Sequence, residues 1–281
     1  MADGDRDRHP PVVVGVDPSD SARDAALWAA DLAAAQGHPV EFVHVVPNRT
    51  DVRPAWLREL VDAAERTGGS PVTAGCEQGT VFDVLLTRSQ RAGMVVVGSF
   101  GRDAPAGLLV GSTALTLVAL AGCPVAVVRG GREGLGPPRG GPVVVGVDGT
   151  PGSDDALVLA AGLAASLGAR LVAVHAWSDL EDGPEGLHRS SESWSERAAS
   201  VEELLDRQLA RVPLPVSVER RPVAGRPSRA LLELAEEARL LVVGPHRRTP
   251  EGARRLGSTS QELVEFAPCP VVVARPNRRS R

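Results

Sequence analysis

The chain of 281 residues contains no lysine, so all 31 of its Lys and Arg residues are arginines. A P-loop is thereby excluded, because that motif needs a lysine to reach the outer phosphates. Tyrosine is absent too, and with abundant Arg, Ala, Gly and Pro this bias reflects a GC-rich coding sequence more than a function. The three cysteines, Cys76, Cys123 and Cys269, are an odd number without a C-x-x-C pair. They offer neither a disulfide framework nor a zinc site, and they fit a reducing compartment. No apolar run precedes the fold, since Met1 to His9 is charged and lacks the core of a signal peptide. The alanine-rich stretch from Ala25 to Ala35 is interrupted by Asp31 and falls far short of the roughly 20 apolar residues of a membrane span. A cytoplasmic protein without membrane association is expected. A net charge of −4 and a pI near 5.9 leave no basic field for nucleic acid. The one concentrated basic piece outside the domains, Arg275 to Arg281, is expected to be a solvated, frayed terminus. Catalytic signatures are missing as well: there is no nucleophile elbow, no H-E-x-x-H and no cysteine set beside a histidine by a recognisable motif.

What the chain does contain is a repeat. Val12-Val13-Val14-Gly15-Val16-Asp17 returns as Val143-Val144-Val145-Gly146-Val147-Asp148, 131 residues later. Gly111-Ser112-Thr113 returns as Gly257-Ser258-Thr259, and Cys123-Pro124-Val125 as Cys269-Pro270-Val271, both 146 residues later. The second copy has therefore gained 15 residues, between His175 and Gly225. The polar segment from Ser178 to Arg197 is expected to hold them as a loop that extends or precedes a helix. Short β-branched runs alternate with segments of helical period in both copies, which implies parallel sheets with helices on both faces. The organisation is thus a first domain over 1–130, a Gly/Pro-rich linker over 131–141 and a second domain over 142–281. The last strands, from Val125 to Arg129 and from Val271 to Arg275, would be sheet edges, and exposed edges invite pairing.

The stretch most informative about chemistry follows the strand-like run from Met94 to Val97. Gly98-Ser99-Phe100-Gly101 is followed, after nine residues, by Gly111-Ser112-Thr113 at the start of a helix. Gly98 and Gly101 would allow positive φ and a close backbone approach to a ligand. At Gly111, Ser112 and Thr113 a helix N-terminus presents free N–H groups and the positive end of its dipole, with hydroxyls beside them, so an anion such as phosphate fits. The spacing is not that of the Rossmann G-x-G-x-x-G.

The pattern G-x-x-G-x9-G-[ST] resembles the nucleotide signature of the ATP-binding branch of the universal stress protein family. The repeat extends that resemblance over nearly the whole chain. It implies two tandem, doubly wound, five-stranded parallel sheets of strand order 3-2-1-4-5, with the last strands pairing the halves into a pseudo-dimer. The switch point between first and fourth strands would then carry both Asp17 and the Gly98 loop, about 80 residues apart in sequence. By resemblance Asp17 lies beside the adenosine and the backbone of Val45 contacts the adenine. From its residue type Asp17 serves equally as a cap or turn former, Gly15 either leaves room for the nucleotide or packs, and Val45 reads as an ordinary core valine. Arg102 either offsets phosphate charge or is a solvated loop arginine. Phe100 stands where many family members have histidine. In the second copy, Asp148, Gly244, Gly257, Ser258 and Thr259 keep the spacing, but Arg247 replaces the second glycine and Pro245 removes a donor. Arg247, Arg248, Arg254 and Arg255 form either a phosphate-holding patch or a solvated face. The expected ligand is ATP, which Mg²⁺ can accompany, although no carboxylate cage for the metal is visible. Hydrolysis should be slow or absent, as no lysine and no water-activating carboxylate is evident. His44 and His175 sit at repeat-equivalent strand positions, more typical of core histidines than of general bases. The resemblance implies a regulator of stress or dormancy with an unidentified protein partner, and homodimerisation stays open. A nucleotide hydrolase and a scaffold that binds no nucleotide are the alternatives.

Overall fold

A computed structural model describes residues 9–48, 52–101, 109–129, 136–177, 180–183, 186–189, 194–245 and 256–276. In the first half the order is β1 (Val12–Gly15), α1 (Asp20–Gln36), β2 (Val40–Val46), α2 (Ala55–Gly68), β3 (Val72–Gln78), α3 (Val81–Arg88), β4 (Met94–Gly98), α4 (Ser112–Leu120) and β5 (Val125–Val128). The second half runs β6 (Val143–Gly146), α5 (Pro151–Leu167), β7 (Leu171–Trp177), β8 (Leu180–Gly183), β9 (Gly186–Arg189), α6 (Trp194–Arg211), β10 (Val218–Ala224), α7 (Pro227–Ala235), β11 (Leu240–Val243), α8 (Ser258–Phe266) and β12 (Val271–Val273).

Local chemistry explains the boundaries. The valine runs of β1 and β6 are buried throughout their first three residues, as central parallel strands covered on both faces must be. Helix α1 starts where the Ser19 hydroxyl accepts from the Ala22 amide at 3.2 Å and stops at Gly37, whose φ of 69° a side chain would resist. Thr80 caps α3 in the same manner. Pro151 opens α5, where its missing N–H is no loss.

Each half forms the strand order 3-2-1-4-5, and the halves join into one sheet of ten strands, β10-β7-β6-β11-β12-β5-β4-β1-β2-β3. Within this sheet all pairs inside a half are parallel, whereas β5 and β12 are antiparallel, with Val127 opposite Val271 and Val125 opposite Val273. The two final strands thus cover each other's edges inside one chain, and the outer edges are β3 and β10. Helices α1, α2, α5 and α6 cover one face over an apolar layer that includes Phe42, Leu57, Leu157 and Leu205. Helices α3, α4, α7 and α8 cover the other over Leu85, Leu117, Leu231 and Leu263. Both layers run through both halves. The added segment of the second half departs from the expected loop, because it carries the antiparallel hairpin β8–β9, with Leu180 opposite Arg189 and Gly183 opposite Gly186. Its acidic composition hid the strands, while the glycines at 183 and 186 carried the turn signal.

Candidate functional site

The carboxyl ends of β1 and β4 lie side by side, with Val12 opposite Met94 and Val14 opposite Val96. The direction in which strands are added reverses here, since β2 and β3 extend the sheet one way and β4 and β5 the other, and at such a switch point a ligand crevice lies beyond the carboxyl ends of the strands. Asp17 stands at that crevice. Its Oδ1 accepts from the Ser19 amide at 3.0 Å and from the Ser19 hydroxyl at 2.5 Å, an Asx turn that leads into the α1 cap. Its Oδ2 faces Gly101, where a side chain's Cβ would lie 2.8 Å away. Ser99 lies between these features: its amide donates to Ser21 Oγ at 2.9 Å, and its carbonyl accepts from the Gly111 amide at 2.7 Å. Asp17, Ser99, Gly101 and Gly111, spread over 95 residues, therefore meet at one place. Gly111 is the N-cap of α4 and supplies no side chain to cap it. Ser112 is exposed and Thr113 half-buried in the first turn that follows. Val45 extends two residues beyond the last β1 pairing, Gly15 with Val43, and is half-buried at the same end of the sheet. Arg102 lies outside the described residues.

The glycines play different parts from those expected. Neither Gly98 nor Gly101 adopts positive φ. Gly98 is required by packing, because a Cβ there would sit 2.6 Å from Ser21 Oγ and 2.8–2.9 Å from the Ser21 backbone. Gly15 is also a packing residue, with Leu85 Cδ1 2.7 Å from where its Cβ would be. At Gly101 a Cβ would crowd Asp17 Oδ2, whereas at Gly111 the nearest described atoms lie 3.7–3.9 Å from a Cβ.

The second half repeats much of this. Asp148 Oδ1 accepts from the Thr150 amide at 3.0 Å and hydroxyl at 2.5 Å. Burial pushes the Asp148 carboxyl up, but the Thr150 and Ser153 hydrogen bonds and the charge of His175 outweigh it and hold the group below the ordinary carboxylate range. Gly244 packs against the Gly152 carbonyl, 2.7 Å from a Cβ position, and Gly257 caps α8 without a side chain. Ser258 is exposed and Thr259 half-buried. The Ser21–Ser99 clamp has no counterpart, since Gly152 and Pro245 occupy its place. Instead the fully buried Gln208 of α6 holds the turn after β6: its Nε2 donates to Ser153 Oγ at 2.6 Å, Asp154 Oδ1 at 2.7 Å and the Thr150 carbonyl at 3.3 Å, and its Oε1 accepts from the Gly149 amide at 3.0 Å. Replacing Gln208 by Ala should orphan these groups and lower stability by about 3 kcal/mol, read as a lower urea midpoint. Residues 246–255, with Arg247, Arg248, Arg254 and Arg255, lie outside the described residues.

Against known proteins, the model of the universal stress protein family matches this chain twice, over residues 9–129 and 141–275. The chain belongs to the universal stress protein family. Universal stress protein Rv2005c of Mycobacterium tuberculosis is 36% identical over 287 residues, covering 94% of this chain and 96% of the relative. A universal stress protein of Mycolicibacterium smegmatis is 33% identical over 290 residues, covering 94% and 97%. Among solved structures, a universal stress protein from Archaeoglobus fulgidus superimposes with a TM-score of 0.68 at 18% identity, covering 95% of this chain and 98% of that one. At that identity the likeness concerns the fold.

Within this universal stress protein fold His44 and His175 tie strands to turns. His44 Nδ1 bonds the Val16 carbonyl at 3.0 Å and His175 Nδ1 the Val147 carbonyl at 2.7 Å, so each ties the second strand of its half to the turn carrying the aspartate. His44 also meets Trp56 edge-on at 4.9 Å. Burial pushes the Cys123 and Cys269 thiols up to about 12, which keeps them protonated at neutral pH. No group of three or more His, Cys, Asp or Glu among the described residues is arranged to hold a metal, and no described helix is long and apolar enough to cross a membrane. Composition and spacing missed Ser21, Gln208, Arg129 and Arg275. Of these only the two arginines left a signal, their shared position at the ends of repeated valine strands. Arg275 in particular is 9% exposed and not part of a frayed tail, while 277–281 lie outside the described residues.

Proposed function

We propose that the chain binds ATP in its first half, through Asp17, Gly101, Gly111, Ser112 and Thr113, and acts as a nucleotide-dependent regulator of stress or dormancy. The observation that supports this best is the meeting of Asp17, Gly101 and Gly111 at the strand switch, beside a helix N-terminus whose N-cap residue is a glycine with no side chain to cap it. A carboxylate there suits hydroxyl or amino donors of a nucleoside, and amides with a helix dipole suit its phosphates. Bound ATP supplies a change of charge and shape that a partner protein can read. This chain's own residues bind and orient it, and with no lysine in the chain and no general base evident among the described residues of the site, turnover is expected to be slow. Gly244, Gly257, Ser258, Thr259 and Asp148 form a second, weaker candidate, since Arg247 stands where the first half has Gly101.

The test is to denature purified protein without added nucleotide and to chromatograph what is released. About one equivalent of adenine nucleotide per chain is expected. ATP at 100 times its Kd should stabilise the fold by about 2.7 kcal/mol, and cAMP at equal concentration separates a triphosphate site from a cyclic-nucleotide site. Asp17→Asn keeps an acceptor for Ser19 yet removes the charge, so ATP should bind about tenfold more weakly while the melting temperature of the free protein holds. Absence of released nucleotide together with absence of any ATP-induced stabilisation would leave the scaffold reading standing.

A further inference from the structure

Arg129 and Arg275 close the equivalent strands Val125-Ala126-Val127-Val128 and Val271-Val272-Val273-Ala274. Each reaches across the antiparallel seam to the far helix of the opposite half. Arg275 donates from Nε to the Ala121 carbonyl at 3.2 Å and from Nη2 to the Val118 carbonyl, at the C-terminal end of α4. Arg129 donates from Nη2 to the Glu265 carbonyl in the last turn of α8. The same Nη2 also donates to the Leu109 carbonyl at 2.8 Å, two residues before Gly111 in its own half. Its Nε is buried and has no hydrogen-bond partner among the described residues, so what fixes the side chain is the pair of carbonyls that Nη2 reaches. A guanidinium at a helix C-terminus satisfies carbonyls that have no partner within the helix and opposes the negative end of the dipole.

Helix α4 has nine residues, too few for stability on its own. Its placement depends on Leu117 and Val118 in the core and on what holds its ends. Arg275 holds the last carbonyls from the second half, and Arg129 holds the segment that leads into Gly111 while gripping α8. The first-turn amides that face the crevice therefore take their position relative to Asp17 and Gly101 partly from the other half of the chain.

We propose that Arg275 and Arg129 are positioning residues for the first-half nucleotide site, through which the second half sets that site's affinity. The inference rests on the reading of the crevice as an ATP site. By linkage, ATP bound in the first half must in turn tighten the seam.

The experiment compares ATP binding by titration calorimetry in the wild-type protein, in Arg275→Met and in Val272→Ala. Methionine keeps the aliphatic stem and removes the donors. Val272 is fully buried in β12 opposite Ala126, so its truncation loosens the same seam without touching α4. The Kd should rise about tenfold in Arg275→Met, an ordinary coupling between sites, and stay within about twofold of wild type in Val272→Ala. Hydrogen exchange gives the readout that lost packing alone does not move: ATP should slow exchange in β5 and β12 of the wild type and leave it unchanged in Arg275→Met. If Arg275→Met does not fold, Arg275→Lys, which keeps the charge and loses the fork, makes the same comparison with a smaller shift. Wild-type affinity in the arginine variant overturns the positioning role alone, as does an equal loss in Val272→Ala. A wild-type protein that binds no ATP overturns the nucleotide reading itself and the coupling with it.

Discussion

Gly111→Glu is expected to weaken ATP binding by about 100-fold or more while leaving the fold as stable as before. The backbone at Gly111 has φ −74° and ψ 153°, which any residue adopts. A Cβ there has 3.7 Å to the Ser99 carbonyl and 3.9 Å to the Phe100 Cα, ordinary contact distances. A glutamate therefore fits without strain, and its charge at the positive end of α4 slightly favours the helix. The same charge occupies the place of the phosphate and repels it. A loss of about 2.7 kcal/mol in binding corresponds to the expected 100-fold. The check is a calorimetric titration paired with a urea melt: binding lost with the midpoint unchanged supports the site. An unchanged Kd would mean that ATP, if bound, lies elsewhere.

The architecture was legible because it is written twice. Two valine runs ending in aspartate, two Gly-Ser-Thr helix starts and two Cys-Pro-Val strand starts fixed the element order, and the structure adds caps at Ser19 and Thr80. The self-pairing of β5 and β12 followed from edge strands that a tandem chain can cover. What stayed hidden has no local spacing. Arg275 and Ala121 are separated by 154 residues, and a terminal arginine next to three more reads as a solvated tail until the seam is seen. Gln208 reads as one polar residue on an amphipathic helix, although its carboxamide spans four partners on a turn more than 50 residues away. The hairpin β8–β9 was masked by its charges. At the site, sequence assigned Gly98 and Gly101 the same part, and only geometry separates the first, which packs against Ser21, from the second, which faces Asp17.

That separation yields the second large effect. Gly98→Ala should lower stability by about 3 kcal/mol, the upper part of the range for forcing a methyl group into a packed site. The added Cβ would meet the Ser21 carbonyl carbon at 2.8 Å and its oxygen at 2.9 Å. These are backbone atoms in the first turn of α1, so relief requires the helix to move off β4 rather than a side chain to turn. Gly244→Ala should cost a similar amount, since its Cβ would meet the Gly152 carbonyl oxygen at 2.7 Å. Gly75→Ala in β3 is the control: nothing lies within 4 Å of its Cβ position and its φ is not left-handed, so stability should hold or rise by about 0.5 kcal/mol. Urea unfolding of the three variants decides between two meanings of the fourth-strand glycine. Were it there to admit a ligand, Gly98→Ala would alter binding and leave the free protein's midpoint in place, and the second half would be indifferent to Gly244→Ala. Loss of stability in both, before any nucleotide is added, assigns the glycine to the contact between helix and strand that every repeat of this fold must make.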